Sequence, residues 1–391
     1  MDAAILDAVV VGGGPAGATA ATDLARLGRR VALLDRAGRI KPCGGAIPPR
    51  LIRDFAIPDE LLVARIRAAR MVSPRERAVD MPVGDGFVGM VDRGPFDEWL
   101  RNRAALAGAE RITGTYLRLT REAGVVTVHY RDADGAEARL CTRLVIGADG
   151  ANSAVGRQEI PAHARMRQVF AYHEIVRTPP AGAFEAARCD VYYQGVLSPD
   201  FYAWIFPHGD TLSIGTGSAR KGFSLRGAVG RLRAATGLDR GETLRREGAP
   251  LPLKPLSRFD NGRDVLLTGD AAGLVAPASG EGIYYAMVGG RLAAEAGHAF
   301  LATGDARALA QARRRFLKAH GRVFWILRLM QTVWYRNDGL RERFVSICRD
   351  PDVQSLTWDA YMNKELVRAR PAAHARIFFK DLAHLFRWVS P

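Results

Sequence analysis

The sequence predicts an α/β protein with a discontinuous Rossmann-like nucleotide-binding domain, an α+β substrate domain built on an antiparallel sheet, and a helical C-terminal region. Near the N-terminus, an apolar run leads directly into a glycine-rich turn and an alanine-rich segment, the order strand, turn, helix. Residues 198–217 alternate in a period of two, as strands do. Beyond residue 300, apolar residues recur at helical spacing.

The chain length sets the number of domains that we expect. At 391 residues, with 48% hydrophobic and 25% charged residues, the composition is ordinary for a globular protein of two or three domains. The predicted domains are a nucleotide-binding domain (residues 1–75, 90–160 and 258–300), a substrate-binding domain (residues 76–89 and 161–257) and a helical C-terminal region (residues 301–391).

The chain is strongly basic. Its formal net charge of +15 and its pI near 10.2 favour an anionic partner, such as nucleic acid, an anionic membrane surface or a phosphorylated ligand. Nearly all of the positive charge is arginine, a bias that a GC-rich genome also produces. The sequence carries no nucleic-acid-binding signature, so we expect no nucleic-acid partner.

The spacing of the cysteines and the hydropathy of the chain indicate the cellular compartment in which we expect the protein. Cys43, Cys141, Cys189 and Cys348 lie far apart without metal-ligand spacing, which predicts free thiols in a reducing compartment and no metal site. The first apolar run leads into the glycine motif and does not resemble a signal peptide. No apolar run approaches the roughly 18 residues of a spanning helix. We therefore expect a cytoplasmic protein, with peripheral attachment to the photosynthetic or inner membrane left open.

The most specific motif lies at the N-terminus, in ILDAVVVGGGPAGATAATDLARLGRRVALLDR. Ile5–Val11 is predicted to be a buried strand, and Val31–Leu34 a second strand that ends at Asp35. The G-x-G-x-x-G turn between them admits a pyrophosphate close to the backbone, and the following helix N-terminus offers free N–H groups. The carboxylate suits the unphosphorylated ribose of FAD or NAD. The residues expected to hold the dinucleotide here are Gly12, Gly14, Pro15, Ala16, Gly17, Asp35 and Arg36.

Two later segments return the chain to this domain. In LVIGADGANSAVGR an apolar run is followed by Asp149 and Gly150, and in DVLLTGDAAG a similar run is followed by Asp270. Because ligands bind at the carboxyl ends of parallel strands, both aspartates are candidate cofactor contacts. A helix cap is the alternative role for an aspartate at such a position.

Together these motifs resemble those of flavoproteins built like para-hydroxybenzoate hydroxylase, which implies FAD as the cofactor. The resemblance implies that Asp270 binds the ribityl chain and that Asp149 and Gly150 face the cofactor and an incoming nicotinamide. It also implies that a helix beginning near Gly280 and Gly282 directs N–H groups at the pyrimidine edge of the flavin, where reduced flavin carries negative charge. Aromatic hydroxylases of this build have a glutamine between these glycines, whereas this chain has a glutamate.

The region between the flavin motifs contains an aromatic strand, in SPDFYAWIFPHGDTLSIGTG. Its alternation predicts two faces, one with Tyr202, Trp204 and Phe206 and the other with Phe201, Ala203 and Ile205. An aromatic face on a strand usually belongs to a hydrophobic core, so the pattern by itself does not indicate a ligand.

The same residues carry a second resemblance. Pro199-x-x-Tyr202-x-Trp204-x-Phe206-Pro207 matches the P-x-x-Y-x-W-x-F-P pattern of the geranylgeranyl reductase family. Two further segments match motifs of that family, namely Cys43-Gly44-Gly45 and Asp92-Arg93-x-x-Phe96-Asp97. Over residues 5–330 the chain therefore resembles this family, and most of all its members in chlorophyll and bacteriochlorophyll synthesis.

The resemblance implies an FAD-dependent reductase that saturates a geranylgeranyl chain stepwise to phytyl, on (bacterio)chlorophyll or as the diphosphate. Tyr202, Trp204 and Phe206 would line a tunnel for the isoprenoid, and Gly44 and Arg93 would lie near the cofactor. A surface salt bridge is the alternative role for Arg93. NADPH is the reductant that the family implies, with a ferredoxin as the alternative. The absence of a second G-x-G-x-x-G motif excludes neither, because flavin hydroxylases of this build lack one too.

The chemistry of an isolated alkene constrains the site. Such a double bond has no carbonyl to accept charge, so a proton must arrive before or together with the hydride, and aromatic faces can stabilise the resulting cationic centre. By family resemblance Cys43 is the candidate proton donor. Its unperturbed thiol pKa of about 8.5 makes it a weak acid for an alkene. The alternative role is a small residue that permits close packing at a sharp turn.

Two other functions remain open at this stage. One is a flavin monooxygenase of the same fold, against which the glutamate at position 281, the aromatic pattern and the Cys-Gly-Gly turn all argue. The other is a prenyl-binding escort without redox chemistry, similar to the Rab escort proteins, against which the intact Gly12, Asp35 and Asp270 set argues.

The C-terminal region contains two apolar stripes at helical spacing. The first comprises Phe316, Val323, Leu327, Met330 and Trp334 beside several arginines, and the second comprises Phe378, Leu382, Leu385 and Val389 with Trp388 nearby. A basic amphipathic helix with aromatic residues can lie in a membrane interface or can cover the core of its own protein. Both roles are consistent with the sequence.

Overall fold

The computed structural model describes residues 5–364 except residues 37, 39, 123 and 181–183. The described strands are β1 (Leu6–Val11), β2 (Val31–Asp35), β3 (Ala46–Ile47), β4 (Leu62–Ile66), β5 (Ala68–Val72), β6 (Ala78–Pro82), β7 (Val88–Val91), β8 (Glu110–Thr113), β9 (Thr115–Glu122), β10 (Val125–Arg131), β11 (Glu137–Gly147), β12 (Val169–Arg177), β13 (Arg188–Tyr192), β14 (Ala203–His208), β15 (Thr211–Ser218), β16 (Thr243–Leu251) and β17 (Val265–Leu267). The described α-helices are α1 (Pro15–Arg26), α2 (Pro49–Asp54), α3 (Arg93–Leu106), α4 (Ala154–Glu159), α5 (Leu225–Ala235), α6 (Ile283–Thr303), α7 (Ala310–Trp334), α8 (Asp338–Ile347) and α9 (Pro351–Asn363).

The chain divides into two compact units with bounds that differ from the predicted domains. Among the described residues, the first unit comprises residues 5–41, Gly94–Gln168 and Pro250–Phe324, and the second comprises Pro42–Arg93, Val169–Ala249 and residues 325–364. Residues 42–75, which we predicted in the nucleotide-binding domain, fall in the second unit because β5 pairs in parallel with β13 there. The described part of the predicted C-terminal region is not separate either, since residues 301–324 fall in the first unit and residues 325–364 in the second.

The first unit is built on a seven-stranded sheet in the order β8-β2-β1-β11-β10-β9, with β17 paired to β11. Strands β8, β2, β1, β11 and β17 are parallel, whereas β10 and β9 extend the sheet as antiparallel strands. The central strands β1 and β2 are buried along most of their length, as their apolar composition predicted. The Rossmann-like prediction is therefore confirmed.

Helix α6 packs closely against α1, β11 and the loop after β17 because it presents small residues. A side-chain carbon on Gly290 would overlap the carbonyl oxygen of Ala16, and one on Gly297 would stand 2.7 Å from Cδ2 of Leu144. Gly289 is equally confined, since a side-chain carbon there would lie 2.5 Å from Leu274 Cδ1. Glycine inside a helix costs about 1 kcal/mol relative to alanine, so these positions indicate that close packing offsets the cost.

The second unit contains a seven-stranded sheet in the order β16-β12-β15-β14-β13-β5-β6 and a small sheet in the order β3-β7-β4. Apart from the parallel pair β13–β5, the described pairings of the larger sheet are antiparallel, which confirms the predicted α+β architecture with that one exception. The core beside α5 consists of buried aliphatic side chains, among them Val176, Leu212, Ile214, Val229 and Leu232.

The first predicted C-terminal stripe lies on α7. Phe316 and Trp334 are buried and the other members are half-buried, as in a helix that covers its own protein. The large apolar side chains that α7 exposes are Trp325 (64% exposed) and Leu329 (48%), which did not belong to the predicted stripe. The second stripe, Phe378 to Val389 with Trp388, lies outside the described residues. Among the helices of the described chain, none has the length and apolarity to cross a membrane.

Candidate functional site

The glycine turn between β1 and α1 depends on two close approaches of the backbone. Gly12 has a φ of +105°, and a side-chain carbon there would overlap the carbonyl oxygen of Ala148 at the end of β11. A side-chain carbon on Gly17 would overlap the carbonyl oxygen of Gly12, so α1 can leave the sheet only if Gly17 has no side chain. Both glycines are therefore required by packing within the protein itself.

Gly14 differs, because the space beside it is open. Among the described residues, no atom lies within 4 Å of a side-chain carbon placed on Gly14, the residue that precedes α1. Helix α1 begins with Pro15 and Ala16, has no acidic residue in its first turn and receives no described side-chain cap at its N-terminus. The open space beside Gly14 forms a cradle in front of the first backbone N–H groups of α1, whose partial positive charge no acidic residue of that turn offsets. Such a cradle fits the pyrophosphate of a dinucleotide.

Four predicted cofactor residues converge at one edge of the sheet. The register aligns Val11 with Leu34 and with Gly147, and aligns Gly147 with Leu267, so β1, β2, β11 and β17 end together. Gly12, Asp35, Asp149 and Asp270 all lie within three residues of these strand ends. This is the edge at which ligands bind in parallel sheets, as the sequence predicted.

Asp35 ends β2 directly beside the glycine turn. A side-chain carbon on Gly13 would stand 2.8 Å from the Asp35 carboxylate, so that carboxylate lies over the turn. Arg101 on α3 donates to Asp35 across 3.3 Å and to the carbonyl oxygen of Gly13 across 3.4 Å. Arg36, the next residue after Asp35, is exposed to solvent.

Asp149 has a structural role that the sequence analysis gave as the alternative. Its carboxylate accepts hydrogen bonds from the Ser153 hydroxyl (2.5 Å) and from the backbone N–H groups of Ala154 (2.7 Å) and Val155 (3.2 Å), and so caps α4. Burial raises the pKa of Asp149 despite these bonds. Gly150 has a φ of +87° and no described atom within 4 Å of a side-chain carbon, so the open surface here is backbone.

Asp270 lies in the 3₁₀ turn Gly269–Ala272 after β17, and its side chain is buried. Lys41 Nζ is 2.5 Å from Asp270 Oδ2, which neutralises this buried carboxylate. The loop that follows leads through Gly280, with a φ of +68°, to Gly282, the residue before α6. Glu281 between them is buried, and its carbonyl oxygen accepts from the N–H of Ala276 (2.8 Å).

In the second unit, the Cys43–Gly45 turn precedes β3 and lies against the aromatic strand β14. A side-chain carbon on Gly44 would stand 3.1 Å from Cδ2 of Phe206, so the backbone of the turn contacts that ring. Cys43 is half-buried, and its Sγ accepts a hydrogen bond from the N–H of Gly45 across 3.4 Å. The structure thus brings the turn at Gly44 into contact with Phe206, although the two residues are 162 positions apart in the sequence.

The predicted row of Tyr202, Trp204 and Phe206 is confirmed, with Trp204 and Phe206 on β14 and Tyr202 directly before the strand. Ring centroids are 5.9 Å apart for Tyr202 and Trp204 and 6.0 Å apart for Trp204 and Phe206, and all three rings form one row. Ala203 and Ile205 point into the aliphatic core instead. The prediction fails for Phe201, whose ring stacks on Tyr202 at 4.2 Å, because β14 begins only at Ala203 and the strand alternation does not extend to Phe201.

A buried polar chain supports Trp204 from behind. The indole N–H of Trp204 donates to Ser213 Oγ (3.2 Å), Ser213 Oγ lies 2.9 Å from His173 Nδ1, and His173 Nε2 lies 3.1 Å from a Glu247 carboxylate oxygen. The hydrogen bond with His173 lowers the pKa of Glu247, against the effect of burial. These partners fix the plane of the Trp204 ring.

The motif loop before β14 is held by a C-terminal helix. Arg341 on α8 is buried and donates to the carbonyl oxygen of Pro199, and it donates to the carbonyl oxygen of Tyr335 across 2.5 Å. Arg93, for which we left a surface salt bridge open, is only 6% exposed and is therefore not a surface residue. Its predicted contact with the cofactor remains a prediction.

The sequence patterns did not predict several residues at these sites, namely Lys41, Arg101, His173, His208, Ser213, Glu247 and Arg341. Two of them had a local signal. Lys41 stands two residues before Cys43, and His208 continues the period of two after Trp204 and Phe206. The others are distant in the sequence, so only the folded chain identifies them.

Comparisons with known proteins agree with the fold described above. The sequence profile of the pyridine nucleotide-disulphide oxidoreductase family matches residues 6–165. A geranylgeranyl diphosphate reductase of Rhodobacter capsulatus is 59% identical over 387 residues, which cover 98% of each chain, and one of Synechocystis is 36% identical over 98% of each chain. The crystal structure of a geranylgeranyl bacteriochlorophyll reductase-like protein from Thermoplasma acidophilum superposes with a TM-score of 0.82 at 22% identity, covering 94% of this chain and 99% of that one.

Proposed function

Because the chain belongs to the geranylgeranyl diphosphate reductase family, we propose that it is an FAD-dependent oxidoreductase that saturates double bonds of a geranylgeranyl chain to give phytyl. The substrate would carry the chain on bacteriochlorophyll or chlorophyll, or as the diphosphate. The observation that carries this proposal is the contact of the Cys43–Gly45 turn with Phe206, which joins the candidate proton donor to the aromatic row. Family membership also favours a reductase over the monooxygenase and escort hypotheses.

The first unit has the features that FAD requires. Gly14 and the first turn of α1 would receive the pyrophosphate, Asp35 the ribose hydroxyls and Asp270 the ribityl chain, while the N–H groups near Gly282 suit an anionic ring edge. When bound, FAD supplies the hydride equivalent for the reduction. We propose NADPH as the source of electrons, with a ferredoxin as the alternative.

The second unit would bind the isoprenoid. The row of Tyr202, Trp204 and Phe206 offers apolar area with delocalised π-electrons, which excludes water and attracts a tertiary cationic centre. The chain of hydrogen bonds through Ser213 keeps the Trp204 ring in one orientation, which suits a face that must meet a short-lived cation.

Cys43 is the proposed proton donor. Its Sγ already accepts the N–H of Gly45, so the thiol hydrogen is free to point elsewhere, and the half-buried side chain is accessible to a ligand. A Cys43→Ala variant should retain FAD and lose turnover. Cys141→Ala is a matched control, since Cys141 is the other half-buried thiol. Full turnover of Cys43→Ala with bound FAD would exclude the role.

The decisive test is an anaerobic incubation of the FAD-loaded enzyme with reductant and each candidate substrate. Mass spectrometry should show successive gains of two hydrogens in the isoprenoid of at least one substrate, and NADPH and reduced ferredoxin are compared in parallel. If the products gain oxygen in air instead, the monooxygenase hypothesis replaces this one. If the purified protein retains no flavin, the redox function is wrong.

We further propose that α7 makes a peripheral contact with an anionic membrane. The helix contains six Lys and Arg residues and no Asp or Glu, and it exposes Trp325 and Leu329 one turn apart. Flotation with anionic vesicles at low and high salt tests the proposal. Trp325→Ala should weaken binding, whereas Leu106→Ala removes an exposed apolar side chain from α3 and should not. Absence of binding at low salt would refute the contact.

A further inference from the structure

Strand β14 ends in His208, a buried histidine that contacts the Cys43–Gly45 turn. His208 is 6% exposed, its Nε2 lies 3.1 Å from the carbonyl oxygen of Gly44, and its Nδ1 lies 3.1 Å from Oδ1 of Asp92. We propose that His208, anchored by Asp92, is a positioning residue that fixes the conformation of the Cys43–Gly45 turn and thereby the direction of the Cys43 thiol. The consequence for catalysis rests on the proposed function, but the conformational statement does not.

The groups that contact the His208 ring show which of its nitrogens donates a hydrogen bond. A carbonyl oxygen only accepts hydrogen bonds, so Nε2 of His208 must carry a hydrogen that it donates to Gly44. An ionised carboxylate also only accepts, and the hydrogen bond from His208 lowers the pKa of Asp92, so this carboxylate is ionised at neutral pH. Both ring nitrogens therefore face acceptors, so the His208 ring bridges the Gly44 carbonyl and the Asp92 carboxylate.

The turn is closely surrounded by residues of the second unit. Gly45 has a φ of +71°, and a side-chain carbon there would stand 2.5 Å from His208 Cε1 and 2.5 Å from the carbonyl oxygen of Val91. The N–H of Val91 donates to the carbonyl oxygen of Gly45 across 2.9 Å. The turn is thus enclosed between the end of β7 and the side chains of β14, and His208 supplies its only described side-chain hydrogen bond to the Gly44 carbonyl.

The register of β14 directs both Phe206 and His208 toward the Cys43–Gly45 turn. Residues two apart on a strand share a face, so Phe206 and His208 project together, and Phe206 contacts Gly44 while His208 contacts Gly44 and Gly45. One face of one strand therefore presents both the aromatic row and the anchor of the cysteine turn. Loss of the anchor leaves the Gly44 carbonyl without its donor and frees the turn to move relative to Phe206.

Alkylation of Cys43 measures the turn directly. In the FAD-loaded full-length protein, the rate of modification by iodoacetamide is followed for the Cys43 peptide by mass spectrometry, with Cys141 in the same sample as the internal reference. His208→Ala should change the rate at Cys43 about tenfold, because the buried Gly44 carbonyl loses its hydrogen-bond donor, and should leave Cys141 unaffected. His208→Gln, which retains an N–H donor, should restore much of the wild-type rate.

A variant at Asp92 and the activity of the wild-type enzyme make the result unambiguous. Asp92→Ala removes the carboxylate that anchors the ring without altering the ring itself, and it should shift the Cys43 rate in the same direction as His208→Ala, even if His208→Ala does not fold. Unchanged Cys43 rates in Asp92→Ala and in any folded His208→Ala would overturn the proposal. If the rates change but the wild-type enzyme reduces no isoprenoid, the positioning role stands and the proposed function fails.

Discussion

The indole nitrogen of Trp204 lies 3.2 Å from Oγ of Ser213, and both side chains are buried. Because Ser213 also bonds His173, the Ser213→Ala substitution leaves two buried polar groups without their partner. We expect the free energy of unfolding to fall by about 1–3 kcal/mol and the KM for the isoprenoid to rise as the Trp204 ring loses its fixed plane. Chemical denaturation and steady-state kinetics measure the two effects. Ser257→Ala, at an exposed serine, should change neither.

Gly14 and Gly17 should respond differently to alanine. A methyl group at Gly17 would overlap the carbonyl oxygen of Gly12, so Gly17→Ala should lower the melting temperature whether or not FAD is bound. A methyl group at Gly14 meets no described atom, so Gly14→Ala should fold with a near-normal melting temperature but fill the space proposed for the pyrophosphate. Thermal unfolding of the flavin-free proteins and the flavin absorbance after reconstitution separate the two outcomes. Normal flavin binding by Gly14→Ala would contradict the assignment of the cradle.

Gly44→Ala tests the contact between the cysteine turn and the aromatic row. The added methyl group would stand 3.1–3.2 Å from two ring carbons of Phe206, closer than ordinary van der Waals contact, so the turn must shift. We expect turnover to fall about tenfold, which corresponds to 1.4 kcal/mol of transition-state stabilisation. Gly230→Ala, an exposed glycine of α5 with no described atom nearby, should preserve activity and slightly raise stability. Equal activity of both variants would refute the importance of the contact.

Stability at low pH should depend on Asp264. Burial disfavours its ionised form, but hydrogen bonds from Arg121 (2.7 and 2.8 Å) and Asn261 outweigh this effect and hold the pKa of Asp264 below its ordinary value. A carboxyl whose pKa is lower in the folded state stabilises the protein above its unfolded-state pKa of about 3.9 and loses that contribution as the pH falls. The free energy of unfolding should therefore decrease as the pH falls below about 5, which is roughly one unit above that pKa. Asp264→Asn should lower the stability at neutral pH and flatten this dependence.

Much of the nucleotide site could be predicted from the sequence, because local patterns specify it. The G-x-G-x-x-G turn, the strand that ends at Asp35 and the apolar run before Asp270 are each contained within about thirty residues, a length set by one strand-turn-helix unit. Their meeting at one edge follows from parallel pairing, which the alternation of strands and helices already favours. The role of Asp149 could not be predicted this way, since a carboxylate after a strand suits a ligand and a helix cap equally well.

The domain boundaries were harder to predict for a related reason. Residues 42–75 follow the nucleotide motif directly, so proximity in the sequence favoured the first domain. The parallel pairing of β5 with β13 instead places them in the second unit, and such pairing joins segments more than a hundred residues apart, as the strand bounds show. Strand composition predicts that a strand exists, but it does not specify a distant partner.

The sequence by itself determined the family, the glycine turn and the aromatic row, because each depends on residue types at fixed short spacings that local backbone geometry enforces. Only the tertiary structure decided that the Cys43 turn rests on Phe206, that His208 bridges Asp92 and Gly44, and that Ser213 supports Trp204. Those contacts arise from strand register and side-chain packing between distant segments. They depend on the whole sheet, and no short stretch of the chain encodes them.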